Sequence, residues 1–230
     1  IQDTYIAGDC QGDLEVINFV VKEGNDRVSE LIQWGTAFDT KKRNELDLVK
    51  EGGHSEKRIV HYKDHSGSEI QRALINHIKS IDSIQYFENH ILVDLITDHH
   101  TKTNHQKCYG AYIISTIDQE IITITSKLTV LSTGGVGQLY EFTTNPKVAT
   151  GDGLGAAYRA KVRIKGLPYI QFHPTALRSK VNGETFLITE ALRGSGGHLK
   201  NQNGERFMLN YDKRGELAPR DIVSRAIAKE

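Results

Sequence analysis

The sequence is poor in cysteine, proline, methionine and tryptophan, and it has no long apolar run. Its 230 residues include only 2 cysteines, 4 prolines, 1 methionine and 1 tryptophan. Cys10 and Cys108 stand alone and form no C-x-x-C pair, which fits a reducing compartment such as the cytoplasm. The apolar runs are far shorter than the roughly 20 residues that cross a bilayer as a helix. The sequence therefore predicts a globular protein without a membrane span.

Net charge is also missing, because 29 basic and 29 acidic residues cancel. This balance gives no bulk attraction toward nucleic acid or a membrane surface. Metal-ligand spacings are absent too: there is no H-E-x-x-H and no Cys/His ligand pattern, so no metal site is predicted. We interpret the histidines around residue 100 as part of a polar loop; these are His99, His100 and His105. No G-x-S-x-G nucleophile motif occurs.

Apolar periodicity predicts a mixed α/β chain with an antiparallel β section. Residues 12–34 have helical spacing that is broken near Gly24, which indicates two helices, the second ending at Gly35. Residues 69–79 form an amphipathic helical pattern. Three β-rich segments follow, joined in part by a short hairpin turn at 118–119; they are 84–96, 109–117 and 121–131.

Glycines cluster at two later positions that could hold a cofactor. A predicted strand over 129–133 leads into Gly134 and Gly135, and Thr150-Gly-Asp152-Gly opens a helix. Strand ends and helix N-termini are where open α/β sheets hold cofactors. The alternative is a tight turn followed by a helix cap. The literal G-x-G-x-x-A match at 151–156 fails as a dinucleotide fingerprint, because no strand directly precedes it and no acid follows about 20 residues on.

Two short apolar runs, 170–177 and 186–193, each deliver polar side chains next to a proline or a glycine group. The first run carries His173 and Thr175, and the second carries Thr189 and Glu190. Imidazole, hydroxyl and carboxylate groups beside glycine-bared backbone suit an anionic small molecule. Plainer alternatives stay open: a core histidine and an ordinary helix-capping pair.

Two further charged residues are candidates for the same kind of site. Arg220 follows Pro219 at the start of the last predicted helix, and its guanidinium has the fork geometry that suits a carboxylate. The alternative is a surface pair with Asp221. Glu51 precedes two glycines in a loop, so its carboxylate could be approached closely by a ligand.

Five ordered motifs resemble the succinate dehydrogenase and fumarate reductase flavoprotein superfamily. They are Thr-Gly-Gly (133–135), Thr-Gly-Asp-Gly (150–153), Gln-Phe-His-Pro-Thr (171–175), Thr-Glu-Ala-Leu-Arg-Gly (189–194) and Pro-Arg-Asp (219–221). Residues 51–55, Glu-Gly-Gly-His-Ser, are most similar to the L-aspartate oxidase family. The dicarboxylate dehydrogenases usually have Gly-Gly-Gln-Ser there, without the acid.

The resemblance implies a domain organisation. Residues 1–166 would be part of a Rossmann-like FAD-binding domain with an antiparallel β section, and residues 167–230 the start of an α+β capping domain. The family's amino-terminal G-x-G-x-x-G unit, and a later segment that supplies a further His and Arg, are not in this sequence. We therefore expect a piece of a longer protein, which alone is an incomplete enzyme.

The resemblance also implies an activity: FAD-dependent oxidation of L-aspartate to iminoaspartate in de novo NAD biosynthesis. Hydride would pass from Cα to the flavin, which oxygen or fumarate would reoxidise. The small-molecule ligands would be L-aspartate and fumarate or another C4 dicarboxylate, with quinolinate synthase as a functional partner. No nucleic-acid or membrane partner is expected. Two alternatives remain: a succinate dehydrogenase or fumarate reductase flavoprotein with an iron–sulfur partner, and a non-catalytic fragment without flavin.

Roles for individual residues follow from the same motifs. The catalytic residues would be Arg220, Glu51 and His173; the substrate would be bound by His173, Thr189, Glu190 and Arg220; FAD would contact Thr133, Gly134, Gly135 and Asp152. Physical reasoning supports one role independently. Aspartate has an ammonium group and succinate has none, so a carboxylate near Cα would favour the amine-bearing substrate through a charge-assisted bond. Glu51 is the candidate for that carboxylate.

Overall fold

The computed structural model describes residues 1–51, 54–98, 107–178 and 185–230. Two predicted features lie outside the described residues: the glycines Gly52 and Gly53, and the part of the polar loop between the first two long strands that contains His99, His100 and His105. The described residues form two compact units. Unit 1 contains residues 1–86, 171–176 and 187–230, and unit 2 contains residues 87–170 and 177–186.

The secondary structure mixes helices and short strands, which confirms the predicted α/β class. The helices are α1 (Gln2–Ala7), α2 (Leu14–Gln33), α3 (Ser66–Lys79), α4 (Asp152–Arg159), α5 (Glu190–Gly194) and α6 (Arg220–Lys229). The strands are β1 (Leu48–Val49), β2 (Ile59–Val60), β3 (His90–Thr97), β4 (Cys108–Ser115), β5 (Ile121–Thr125), β6 (Ala176–Arg178) and β7 (Thr185–Leu187). The predicted boundary between an FAD-binding domain and a capping domain at residue 167 is a different division from these two compact units, and it stays a prediction.

The prediction of two helices between residues 12 and 34 is wrong, because α2 is continuous over its 20 residues. Asp13 caps it by accepting the backbone N–H groups of Glu15 and Val16. Gly24 lies inside the helix, where glycine costs about 1 kcal/mol relative to alanine. One such cost does not break a helix with hydrogen bonds on both sides. The predicted end is confirmed: Gly35 has φ +97°, and Thr36 N–H donates to the Leu31 carbonyl at 2.9 Å.

The predicted antiparallel section is confirmed as the sheet of unit 2, in the order β3–β4–β5. β3 begins at His90 rather than near residue 84, and β5 ends at Thr125 rather than near residue 131. Gly110 in β4 pairs with Thr125, and its φ is +141°. A Cβ there would lie 1.9 Å from the Ile124 carbonyl oxygen. Only glycine fits at this point of the sheet.

The strand predicted over 129–133 is wrong, because described residues 126–136 contain no strand. A strand is defined by a hydrogen-bonded neighbour. Within the described part of the chain, the three long strands pair only with one another. The apolar run therefore has no described strand to pair with, and it continues as irregular backbone into Gly134.

Unit 1 has a small apolar core that fixes the start of α6. Its buried members are Phe207, Met208, Ala218, Val223 and Ala226. Met208 and Val223 are fully buried, and each buried side chain of this size contributes about 1.5–3 kcal/mol. Because Val223 and Ala226 lie on the inner face of α6, Arg220 is held at a defined position at the helix start.

Candidate functional site

Two helices of unit 1 begin at the residues that form the centre of the candidate site. Glu190 is the first residue of α5, and Thr189 caps this helix by accepting the Ala191 N–H at 3.3 Å. Arg220 is the first residue of α6, after Pro219. The Arg220 Nε and Nη2 atoms lie 2.7 and 2.6 Å from Glu190 Oε2. Glu190 is only 7% exposed, so this ion pair is shielded on the carboxylate side.

A second arginine contacts the other oxygen of the same carboxylate. Arg193 Nη2 lies 3.1 Å from Glu190 Oε1, as an ion pair without hydrogen-bond geometry. Arg193 Nη1 donates to the Glu216 carbonyl oxygen at 2.7 Å. Nε and Nη2 of Arg193 are buried and have no hydrogen-bond partner among the described residues. The two guanidinium groups of Arg193 and Arg220 and the one carboxylate of Glu190 together carry one net positive charge, which suits a carboxylate ligand.

The Glu216 side chain is itself held by hydrogen bonds, which fixes the residue whose carbonyl accepts from Arg193. Arg206 donates to it through Nε at 3.0 Å and Nη2 at 2.6 Å, and the Leu199 N–H donates at 3.1 Å. Burial raises the pKa of the 3%-exposed Glu216, but the hydrogen bonds from Arg206 and the backbone outweigh burial and lower the pKa overall. Glu216 therefore remains ionised, and its carbonyl group stays in place for Arg193.

His173 lies close enough to this charge cluster for its pKa to respond. Burial lowers the pKa of His173, the positive charges of Arg220 and Arg193 lower it further, and Glu190 opposes them. The Thr175 N–H lies 3.2 Å from His173 Nδ1. A backbone N–H can only donate, so Nδ1 accepts and the proton of the neutral ring is on Nε2. His173 is thus a neutral imidazole whose Nε2–H can donate to a ligand.

Residues 171–175 are tied to both helices. Arg220 Nη1 donates to Gln171 Oε1 at 2.9 Å, and Ser224 Oγ donates to the Phe172 carbonyl at 3.1 Å. Thr175 is buried and exchanges two hydrogen bonds with Ile188, at 2.9 and 3.0 Å. These bonds, between residues 13 to 52 positions apart, explain how separate motifs form one cluster around Glu190.

Three of the predicted site residues are therefore brought together: His173, Glu190 and Arg220. The alternative pairing of Arg220 with Asp221 is not found; Asp221 pairs with Arg225 instead. Thr189 fulfils the capping role, and its contact with substrate stays a prediction. The sequence reasoning did not single out Arg193, Glu216 or Gln171. Arg193 could have been found, because it lies three residues after Glu190 on the same helical face.

Glu51, two residues after β1, lines a separate cavity in unit 1. This cavity has a volume of about 680 Å³. Its polar and charged lining residues include Asp3, Lys50, Glu51, His54, Ser55, Lys57, Ser195 and Arg214. Ala191, Gly194 and Ser195 line it from the α5 side, whereas Glu190 and Arg193 make the ion pairs described above. Helix α5 thus contributes residues to both the Glu51 cavity and the Arg220 cluster, and the described residues lining the cavity do not include His173 or Arg220.

The Glu51 cavity contains an unused polar atom. His54 Nδ1 is buried and has no hydrogen-bond partner among the described residues. Buried nitrogen atoms are normally paired with protein or water. Glu51 and His54 both line the cavity, so a carboxylate and an imidazole are available there to a polar ligand.

In unit 2, the predicted cofactor residues meet at the N-terminus of α4. Gly151, with φ +81°, precedes the helix, so Asp152 is its first residue rather than its cap. A Cβ on Gly153 would lie 1.9 Å from Thr133 Oγ1, which shows how closely Thr133 packs on the first turn. Thr150 Oγ1 donates to the Asp152 carboxylate at 2.9 Å. Thr133 and Asp152 are thus neighbours at one helix end.

The backbone at this helix end is open to a ligand. A Cβ added at Gly134 or Gly135 would meet no described atom within 4 Å, and Gly134 has φ +75°. The free N–H groups of a helix N-terminus favour anionic groups such as phosphate. An apolar cavity of about 700 Å³ adjoins Gly151; its lining includes Val136, Leu139, Leu154, Tyr158, Leu167 and Ile170. This combination fits a ligand with a phosphate part and a flat apolar part.

Comparison with known proteins agrees with this geometry. The chain matches the model of the FAD binding domain over residues 1–230, and it belongs to that family. It is 45% identical over 234 residues to L-aspartate oxidase 2-b, chloroplastic, of Nicotiana tabacum, covering 99% of this chain and 36% of the relative. It is 40% identical to L-aspartate oxidase of Acinetobacter baylyi, covering 100% of this chain and 42% of the relative.

Among solved structures, the FrdA chain of E. coli quinol fumarate reductase superposes with a TM-score of 0.90 at 27% identity, covering 100% of this chain and 40% of that chain. The predicted resemblance to the flavoprotein superfamily and to L-aspartate oxidases is thereby confirmed, and FAD is the cofactor of the family. The chain spans about two fifths of the length of these proteins. No helix among the described residues is both long and apolar enough to cross a membrane.

Proposed function

We propose that the protein containing this chain oxidises L-aspartate to iminoaspartate. The observation that carries the proposal is the Glu190 carboxylate shared by Arg193 and Arg220 beside a neutral His173, in a chain that also has Glu51. The paired arginines supply a net positive charge for a substrate carboxylate, and Glu51 supplies the negative charge that an ammonium group requires. L-Aspartate is a small molecule with both kinds of group.

Each chain residue then has a defined task. Arg220 binds a substrate carboxylate through its planar fork, and Glu190 holds the guanidinium in orientation. His173 donates its Nε2–H to a carboxylate oxygen. Glu51 accepts hydrogen bonds from the substrate ammonium and orients Cα, and Thr189 adds a hydroxyl contact. When bound, FAD would accept the hydride that leaves Cα, and the substrate ammonium would release one proton to solvent as the C=N bond forms.

FAD is held in this proposal at the N-terminus of α4. Gly134 and Gly135 allow close approach of a phosphate to the backbone, because neither carries a side chain. Thr133 and Asp152 flank that position and offer a hydroxyl and a carboxylate for polar groups of the cofactor. Gly134→Val tests this part of the proposal: the full-length variant is expected to lose its flavin absorbance, and a fully loaded yellow variant would contradict the assignment.

The wider setting follows from the chemistry. Reduced FAD would be reoxidised by oxygen or fumarate. The iminoaspartate would be consumed in de novo NAD biosynthesis, with quinolinate synthase as the functional partner. A reducing compartment fits the two free cysteines Cys10 and Cys108. The cytoplasm is the compartment we propose, although the tobacco relative is named as chloroplastic.

A succinate dehydrogenase or fumarate reductase flavoprotein is the second candidate. The observation in its favour is that the Arg220, Glu190 and His173 cluster needs only a carboxylate, which plain dicarboxylates also provide. Glu51 is the distinguishing residue, since a substrate without an ammonium group gains no charge-assisted contact from it.

The experiment is Glu51→Gln in the full-length enzyme, compared with Glu56→Gln as a matched control. Glu56 is exposed and lies in the same loop. Glu51→Gln is expected to lower kcat/KM for L-aspartate by about 10²-fold, the range for a lost charge-assisted contact, and to leave fumarate reduction within about twofold. Glu56→Gln is expected to behave as wild type. Flavin absorbance of the purified chain separates both enzymes from a non-catalytic fragment.

A further inference from the structure

A carboxylate from the first helix holds the loop that contains Glu51. Asp3 Oδ2 accepts the Ser55 backbone N–H at 2.6 Å and the Ser55 hydroxyl at 2.8 Å. Arg58 Nη1 lies 2.9 Å from the same oxygen. Three donors therefore converge on one carboxylate oxygen, although α1 and the loop are about 50 residues apart in sequence.

The hydrogen bonds of Ser55 are complete, so its position is fixed in several directions. Its hydroxyl also accepts from Arg58 Nη2 at 3.1 Å, and its carbonyl accepts from Lys50 Nζ at 2.9 Å. Lys50 directly precedes Glu51. The loop is thus closed on itself between Lys50 and Ser55, and Asp3 anchors the closing point.

Both ends of the loop are fixed as well. β1 and β2 pair at its base, with Leu48 opposite Val60, and Arg58 N–H donates to the Val49 carbonyl at 3.2 Å. A Cβ on Gly194 of α5 would lie 3.2 Å from the Lys50 carbonyl oxygen, so α5 packs closely on the backbone beside Glu51. How far the Glu51 backbone can move therefore depends on the hydrogen bonds between Asp3 and Ser55.

We propose that Asp3 is a positioning residue that fixes Glu51 for the substrate ammonium through Ser55 and Arg58. This inference rests on the proposed role of Glu51 in amine recognition. Asp3 lines the same cavity as Glu51, but its Oδ2 atom already accepts hydrogen bonds from Ser55 and pairs with Arg58. Its action on the substrate is therefore indirect.

An ionised carboxylate is required at position 3, because its hydrogen bonds are about twice as strong as neutral ones. An asparagine would keep one acceptor oxygen but would lose the ion pair with Arg58. The loop would then keep its base strands and lose its anchor. The expected result is a Glu51 side chain that occupies its working position for less of the time, with the Arg220 cluster unchanged.

The test is Asp3→Asn in the full-length FAD-loaded enzyme, alone and combined with Glu51→Gln. Asp9→Asn is the matched control, since it makes the same change of charge at an exposed position just after α1. Asp3→Asn is expected to raise KM for L-aspartate by about tenfold with a smaller change in kcat, as when a binding contact is weakened. Fumarate reduction, flavin content and the control variant are expected to stay within about twofold of wild type.

The double variant separates positioning from general structural damage. If Asp3 acts only through Glu51, Asp3→Asn changes aspartate kinetics by less than about twofold in the Glu51→Gln background, because the effects of coupled residues are not additive. A full tenfold loss in that background would overturn the proposal, as would wild-type kinetics in Asp3→Asn alone. Glu51→Gln with unchanged aspartate kinetics would instead refute the proposed function itself.

A second variant covers a folding failure of Asp3→Asn. Ser55→Ala removes the hydroxyl bond and keeps the backbone bond, so we expect a smaller rise in KM in the same direction, about threefold. Hydrogen exchange at the Ser55 amide provides a readout besides activity. Exchange is expected to accelerate in Asp3→Asn and not in Asp9→Asn, and equal exchange in wild type and Asp3→Asn would contradict the anchor.

Discussion

The Arg220 guanidinium meets the Glu190 carboxylate through two nitrogen atoms, with Nε at 2.7 Å and Nη2 at 2.6 Å from the same oxygen. Both residues are the first of their helices, so the pair links the starts of α5 and α6. Arg220 Nη1 does not contact Glu190 and donates instead to the side-chain oxygen of Gln171. A charged ligand can replace this neutral amide as the acceptor. Arginine is thus oriented before a substrate arrives.

Replacement of Arg220 by lysine is expected to lower kcat/KM of the full-length enzyme by at least about 10²-fold, because an ammonium cannot keep the Glu190 contact and also bind a carboxylate with a planar fork. Steady-state kinetics with L-aspartate and with fumarate would measure this loss. Arg225→Lys, on the exposed face of the same helix, is the control and is expected to retain activity. Equal activities of the two variants would contradict the role of Arg220.

The lowered pKa of His173 predicts a pH dependence of stability. The imidazole is neutral in the folded protein and has an ordinary pKa of 6.5 when unfolded, so the unfolded state binds more protons below that pH. Stability is complete above about 6.5 and falls as the pH drops through the window between 6.5 and the lowered folded value. Urea unfolding at pH 7 and pH 5 is expected to show a larger loss for wild type than for His173→Gln. Parallel losses would argue against a neutral buried histidine.

The contacts of Asp3 with Ser55 and Arg58 predict that its carboxyl group titrates at an unusually low pH. The hydrogen bonds from the Ser55 backbone and hydroxyl, with the nearby Arg58 charge, lower the pKa of Asp3 to about 2 from 3.8. A lowered carboxyl pKa contributes stability that is complete above 3.8 and is lost as the pH falls toward 2. NMR titration of the carboxyl carbon is expected to give a pKa of about 2 in wild type. An ordinary value would show that the three donors are not engaged in solution.

Two glycines of α4 form a matched pair for the cofactor site. Gly153→Ala would bring a methyl group within 1.9 Å of Thr133 Oγ1, whereas Gly155→Ala meets only the flexible end of Arg159 at 3.3 Å. The first change is expected to lower the free energy of unfolding by about 1–3 kcal/mol through overpacking, and also to lower flavin retention. The second is expected to be neutral or slightly stabilising, since alanine favours helices. Equal flavin content in both variants would contradict the close packing of Thr133 on α4.

Local sequence signals predicted the parts of the site that depend on short segments. The positions of Thr189 before α5 and Pro219 before α6 mark helix starts, and these starts carry Glu190 and Arg220. The ion pair of Arg193 with Glu190 fits their i,i+3 spacing, but its other contact could not be predicted, because the Glu216 carbonyl lies 23 residues further on. That contact results from packing of α5 against the turn at 215–217 rather than from any periodicity.

The fold errors have physical causes of the same kind. Gly24 was interpreted as a break because glycine disfavours helices locally, but α2 continues since its neighbours on both sides are helical. The apolar run at 129–133 has strand composition, yet strand formation requires a pairing partner that composition does not reveal. The described residues that line the Glu51 cavity do not include Arg220, so the joint use of Glu51 and Arg220 by one substrate stays a prediction.

Recognition of the substrate ammonium by Glu51 is tested by the ratio of two kcat/KM values in one protein preparation. The first is for L-aspartate oxidation and the second for fumarate reduction, each measured for wild type, Glu51→Gln and Glu56→Gln. We expect Glu51→Gln to lower this ratio by about 10²-fold and Glu56→Gln to leave it unchanged. A ratio in Glu51→Gln equal to that of wild type would show that Glu51 does not recognise the ammonium group.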